Sequence, residues 1–138
     1  MIVKVMNKIS LSSNHKRSLS SSVYLVELLT DEIETALLNT DNRVMRKMIN
    51  DISEERKKAI LDALRNIRMS LEKIAKKYQL AKHEVDQSHY VSARKVKMWE
   101  VMNDTTAKRL KGFGDFPEEY ADEFDDDIRN LIQLVEKI

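Results

Sequence analysis

The sequence predicts an all-α protein, an up-down-up-down four-helix bundle, and three observations carry that prediction. Only 2 Gly and 1 Pro occur in 138 residues, too few for the tight turns and bulges of sandwiches, barrels or doubly wound sheets. The chain is 42% hydrophobic, 34% charged and 6% aromatic, the balance of amphipathic helices with charged outer faces rather than of a disordered chain. Its apolar residues recur in steps of three and four. A length of 138 residues fits one domain, so residues 1–138 are expected to form a single bundle, with 1–13 as an N-terminal extension.

The first helix is expected after the polar run Ser10–Lys16, with Ser13 or Asn14 as N-cap. Leu19, Val23, Val26, Leu29, Ile33 and Leu37 keep to one side of it. Asn39, Thr40, Asp41 and Asn42, four successive residues that favour caps and turns, end it. The best pattern in the chain follows: Ile60, Leu64, Ile67, Leu71, Ile74 and Tyr78 step by four and three and predict a bundle helix. Upstream, Met45, Met48, Ile49 and Ile52 form a face of their own, but no large apolar residue lies between Ile52 and Ile60. Asp51-Ile-Ser-Glu54 has the shape of a capping box, which favours a short extra helix over 41–50 and a new start near 52. A continuous helix over 41–79, about 58 Å long, is the alternative, since no Gly or Pro enforces the break.

Residues 80–88 carry the next turn, with Asp86 or Ser88 capping a third helix. It runs through Val91, Val96, Trp99, Met102, Thr106 and Leu110 and closes at Lys111-Gly112, where a cation and a glycine are both favoured. Asp115-Phe-Pro-Glu118 then opens the last helix, with Asp as N-cap and Pro just inside the start. Tyr120, Phe124, Ile128, Leu131, Val135 and Ile138 give its inward stripe.

Several function classes fall away on composition. With no Cys there is no thiolate metal site, no disulfide framework and no cysteine nucleophile, which fits a reducing, cytoplasmic setting. No apolar run approaches the ~20 residues of a membrane span, and the first ten residues, interrupted by Lys4 and Lys8, do not read as a secretory signal. Gly112 and Gly114 cannot build a P-loop, a dinucleotide fingerprint or a nucleophile elbow. No catalytic set, cofactor or metal is expected.

Charge is polarised: residues 1–112 hold 22 Lys and Arg against 14 Asp and Glu, whereas 113–138 hold 2 against 9. Eight of the thirteen positions in 115–127 are acidic. Many fall in the first turns of the last helix, where they complement its dipole. The same run is also able to pack beside the basic helix 53–79, to meet a basic partner, or to gather a divalent cation through Glu119, Glu123, Asp126 and Asp127. His83, Asp86 and His89 straddle a turn and make a poor transition-metal set.

On the basic helix, Lys58, Arg65 and Lys76 lie opposite the apolar stripe, as a solvated face or as a phosphate-binding one. Trp99, with Met102 and Tyr90, reads as core packing or as the lining of a small-ligand pocket. Asn103, Asp104, Thr105 and Thr106 form a polar cluster within the third helix, suited to an inter-helix hydrogen-bond network or a site.

Residues Asn14–Leu29 resemble the histidine-bearing helix of sensor-kinase dimerisation domains, which implies His15 as a phosphoacceptor; the usual Pro is missing. Ala107–Gly112 resembles the Leu-Lys-Gly segment of histidine phosphotransfer domains, with Lys108 where the phosphoacceptor would stand. The first expectation for function is a non-enzymatic helical-bundle protein acting through protein–protein contacts, with a protein partner or a second copy covering an apolar strip around Ile2, Val3, Val5, Met45 and Met48. A nucleic-acid-associated module and a ligand-binding or phosphotransfer bundle are the alternatives.

Overall fold

Helices account for the regular structure of the computed structural model, which describes residues 8–38 and 43–138, and among these residues no strand forms. The helices are α1 (Ser13–Leu38), α2 (Glu54–Lys77), α3 (Gln87–Asn103), α4 (Ala107–Leu110) and α5 (Ala121–Val135), with 3₁₀ turns at Lys111–Phe113 and Glu118–Tyr120. The chain divides into two compact units, Met1–Lys82 and His83–Ile138.

In the first unit α1 and α2 form an antiparallel hairpin. The Ile9 N–H donates to the Lys77 carbonyl (2.8 Å) at one end, and Arg68 of α2 reaches Asp31 and Glu34 of α1 along its length. Ser12, just ahead of the expected caps, supplies the N-cap of α1: its Oγ accepts from the His15 N–H (3.2 Å). The break before α2 is real, but its cap is Ser53 rather than Asp51, with Ser53 Oγ accepting from the Arg56 N–H (3.1 Å). No helix forms over 43–50, which corrects the expected short helix; Met45 and Met48 alone supply too little burial to offset the cost of nucleating one. Residues 41 and 42 lie outside the described residues, as do Ile2, Val3 and Val5 of the expected apolar strip.

The C-terminus of α2 is a Schellman motif: Leu80 N–H donates to the Ala75 carbonyl (2.8 Å) and Gln79 N–H to the Lys76 carbonyl (3.3 Å). Gln79 takes the left-handed position with φ 55°, where glycine is the unstrained residue.

In the second unit α3 and α5 pair, again antiparallel. The third helix does not run to Leu110: it stops at Asn103, and a separate short α4 begins at Ala107. The polar cluster is the cause. Asn103 Nδ2 donates to the Trp99 carbonyl (2.8 Å) and Thr105 Oγ1 to the Val101 carbonyl (2.8 Å), while Thr106 Oγ1 caps α4 by accepting from the Arg109 N–H (3.2 Å). These bonds are local, so the four residues are a helix stop and not a network between helices. The last helix starts later than Pro117 suggests, because a 3₁₀ turn over Glu118–Tyr120 intervenes and α5 begins at Ala121. Of the two glycines, Gly114 carries a special backbone, at φ 148°.

The second unit is tied by polar clasps more than by a core. Asp125 Oδ1 accepts from the N–H of Ala107 (2.8 Å), which is 3% exposed, and so holds the start of α4 on α5. Lys95 Nζ donates to the carbonyls of Glu136 and Ile138 (both 3.1 Å) and places a cation at the C-terminal end of α5, where the dipole favours it. Phe116 packs on Phe124 at 5.2 Å between ring centroids, and Val135 is buried.

Two outcomes follow for stability. Asp125→Ala should lower the urea-unfolding free energy by about 1–2 kcal/mol, because it strips the partner from a part-buried N–H; an unchanged midpoint would show that α4 needs no such clasp. Gln79→Gly should raise stability by about 1 kcal/mol by relieving the left-handed strain, read in the same titration.

Candidate functional site

The feature with a distinct chemical character is one face of the α1–α2 hairpin. The line of contact between the two helices runs through Leu19, Val23, Thr30, Glu34 and Leu37 on α1 and through Leu64, Arg68 and Leu71 on α2. Thr30 is 3% exposed and satisfied, its hydroxyl donating to the Val26 carbonyl at 2.7 Å. This line is rotated from the centre of the expected apolar stripe, so Val26, Leu29 and Ile33 are left roughly half exposed.

At about 100° per residue, Val26, Ile33, Leu29 and Leu25 step progressively round α1 to one side of the contact line, while Glu27 and Asp31 step to the other. On α2, Ile60, Ile67, Ile74 and Ala63 step to one side, and Arg65, Glu72, Lys58 and Lys76 to the other. Because the helices are antiparallel, the same sense of rotation along each chain turns the two apolar flanks to the same side of the hairpin. The ion pairs confirm the geometry. Arg68 bonds both Glu34 and Asp31 (3.0 Å to Asp31), across the side opposite the apolar flanks. Hydrogen bonds that Arg68 donates to the Glu34 and then the Asp31 carboxylate hold its guanidinium above its ordinary pKa, so the clamp stays charged. The hairpin therefore has one polar side, fixed by Arg68, and one apolar side spanning both helices.

The residues expected at sites fall elsewhere. Lys58, Arg65 and Lys76 are exposed on the polar side of α2, but Arg65 pairs with Asp62 (3.6 Å) and Lys76 with Glu72 (3.0 Å), which interleaves negative charge along the stripe. Tyr90 and Trp99, nine residues apart on α3, point to opposite sides of it. Tyr90 carries Arg94 over its ring at 3.5 Å, Trp99 is 48% exposed, and Met102 is half-buried toward α5. His15 is exposed in the first turn of α1. Among the described residues no group of three or more His, Asp or Glu side chains is placed to hold a metal ion, and the acidic run instead supplies the α4 clasp through Asp125 and pairs with Arg129 (2.6 Å, Asp126) and Lys111 (2.6 Å, Glu118).

Two cavities flank the C-terminal end of α1. One of about 110 Å³ lies between Ala36, Leu37, Met48, Ile52 and Lys57, and one of about 450 Å³ is lined by Leu28, Asp31, Thr35, Arg43, Arg46 and Met48. Met48 thus packs on α1, whereas Met45 is exposed. No helix among the described residues is long and apolar enough to cross a membrane. Comparison with protein-family models, with curated proteins and with solved structures finds no match to this chain.

The sequence reading missed the one-sidedness of the hairpin. Its signal was present in the extra apolar position Leu25 of α1, which widens the stripe beyond what one neighbouring helix covers. In a double-mutant cycle, Arg68→Met and Glu34→Gln should show a small coupling that fades in 1 M salt, as befits a partly exposed pair. Additive effects at low salt would remove the clamp from the account.

Proposed function

We propose that the chain is a non-enzymatic helical-bundle protein that works through protein–protein contacts, made by the apolar face of the α1–α2 hairpin. The observation that carries this reading is the exposure of Leu25, Val26, Leu29 and Ile33 beside Ile67, all on one side of two packed helices. A helix pair buries only the stripe between its members, and the remaining apolar flank is stabilised when another protein layer covers it. Covering the exposed half of each of these five side chains stabilises by about 1 kcal/mol apiece, or about 5 kcal/mol together. That is enough to hold a specific contact once the ordering of side chains is offset.

The chemistry of the face supports a protein as occupant. Its centre is aliphatic, and charged residues stand at its margin, with Glu32 on α1 and Arg56 and Lys77 on α2. An apolar centre with a polar rim is the anatomy of a protein interface. The basic residues that would contact phosphate are on the opposite side of the hairpin and share their charge with carboxylates.

Replacing Leu29 and Ile33 together by Lys tests the reading. The unaltered chain should sediment in assemblies heavier than 16.1 kDa, and the double variant as a single chain with the same helical circular dichroism. An unaltered chain that is monomeric and fails to bind a hydrophobic dye would contradict it.

A further inference from the structure

The apolar side of the α1–α2 hairpin carries formal charge of one sign, at its two ends. At about 100° per residue, Arg56 falls within about 20° of Ile67 and Ile74 on α2, and Lys77 within about 20° of Ser70. Both cations are exposed, Arg56 in the first turn of the helix and Lys77 in the last, about 31 Å apart along its axis. Of the eight carboxylates on α1 and α2 none lies on this side between them; Glu32 and Glu55 come nearest, at its outer margins. On the polar side Arg68 pairs with Asp31 and Glu34, Arg65 with Asp62 and Lys76 with Glu72. Among the described residues no ion pair engages Arg56 or Lys77, and Lys77 instead lies over the Tyr78 ring at 5.6 Å. The dipole of α2 disfavours a cation at the position of Arg56.

Two packed helices also leave a furrow along each side of their contact line. On the apolar side Val26, Leu29 and Ile33 form one bank and Ile60, Ile67 and Ile74 the other, all at least partly exposed. Ridges of one helix fit the grooves of its neighbours, and an amphipathic helix laid in a hydrophobic groove is a recurrent mode of recognition. A furrow that is aliphatic along its length and positive at both ends is complementary to a helix that is aliphatic along its length and negative at both ends.

We propose that the occupant of the α1–α2 face is one helix of a partner protein, about 21 residues long, with an aliphatic stripe and a carboxylate near each end. This rests on reading that face as a protein-contact surface. The stripe lies in the furrow, and the end carboxylates reach Arg56 and Lys77. His15, which shares the direction of Ile33 and stands at the Lys77 end of the hairpin, adds a further hydrogen-bond donor there. A helix with cations at its ends meets like charge twice, so the face selects against it. Residues 1–82 as a whole hold 16 Lys and Arg against 10 Asp and Glu, a balance that steers an acidic partner inward.

The test uses the full chain and two synthetic helical peptides of about 21 residues with the same leucine stripe, one with glutamates at both ends and one with lysines. In fluorescence anisotropy at low salt the glutamate-ended peptide should bind about tenfold more tightly, and the gap should close in 1 M salt. Arg56→Glu/Lys77→Glu should reverse the preference, whereas Arg65→Glu, on the polar side, should leave it standing. Sedimentation should show one glutamate-ended peptide per chain in place of the assemblies that the chain forms alone. Equal binding of the two peptides, or a preference that Arg56→Glu/Lys77→Glu leaves unchanged, overturns the acidic-ended helix. A chain that takes up neither peptide yet self-associates or binds a hydrophobic dye overturns the helix as occupant and leaves the contact face standing. Binding to phosphatidylserine vesicles in place of both peptides, or no binding to peptide, dye or itself, overturns the contact face as well.

Discussion

The constraint on which the first unit depends is that two packed helices bury one narrow line each, and α1 and α2 both carry apolar arcs wider than that line. The Arg68 pairs with Asp31 and Glu34 are made at the rotation that puts Thr30 and Leu64 at the centre of contact and turns Leu29, Ile33 and Ile67 outward. The polar side of the hairpin carries these pairs, and the apolar side carries what the contact line leaves uncovered.

The second unit solves the shortage of core differently. No residue of α3 is buried, and the pair is held by groups that satisfy helix ends: Asp125 at the start of α4, Lys95 at the end of α5, and Thr106 between α3 and α4. Such clasps satisfy orphan N–H and C=O groups that a buried helix end cannot leave unpaired. Three of the eight acidic residues in 115–127 have local partners: Asp125 a backbone N–H, Asp126 the Arg129 guanidinium and Glu118 the Lys111 ammonium.

Much of this fold was legible in the sequence, for physical reasons that also mark where legibility ends. The three-and-four stepping of Ile60 to Tyr78 announced α2, although Ile60, Ile67 and Ile74 fall to one side of its burial line. Of the stripe expected for the last helix, Phe124, Ile128 and Val135 turn inward, whereas Tyr120, Leu131 and Ile138 are exposed. In α1 the stepping identified the helix but placed the contact line some tens of degrees off, since the pattern reports the apolar arc and not the neighbour that covers part of it. The stop at Asn103–Thr106 was visible as an odd polar cluster, yet without a Gly or Pro it did not read as a boundary; short side chains bonding to their own carbonyls ended the helix. Tyr90 and Trp99, expected to line one pocket with Met102, stand nine residues apart and so present to opposite sides of α3. The charge order of α1, basic residues first and acidic ones after, was fully readable, and two of its carboxylates, Asp31 and Glu34, find Arg68 within the hairpin.

The central claim is that the α1–α2 face is covered by protein. Amide hydrogen exchange across α1 at two protein concentrations measures this most directly. The account predicts slow exchange over residues 25–33 at high concentration, accelerating on dilution while the amides of α5 stay unchanged. Exchange over 25–33 that is fast and identical at both concentrations would contradict it.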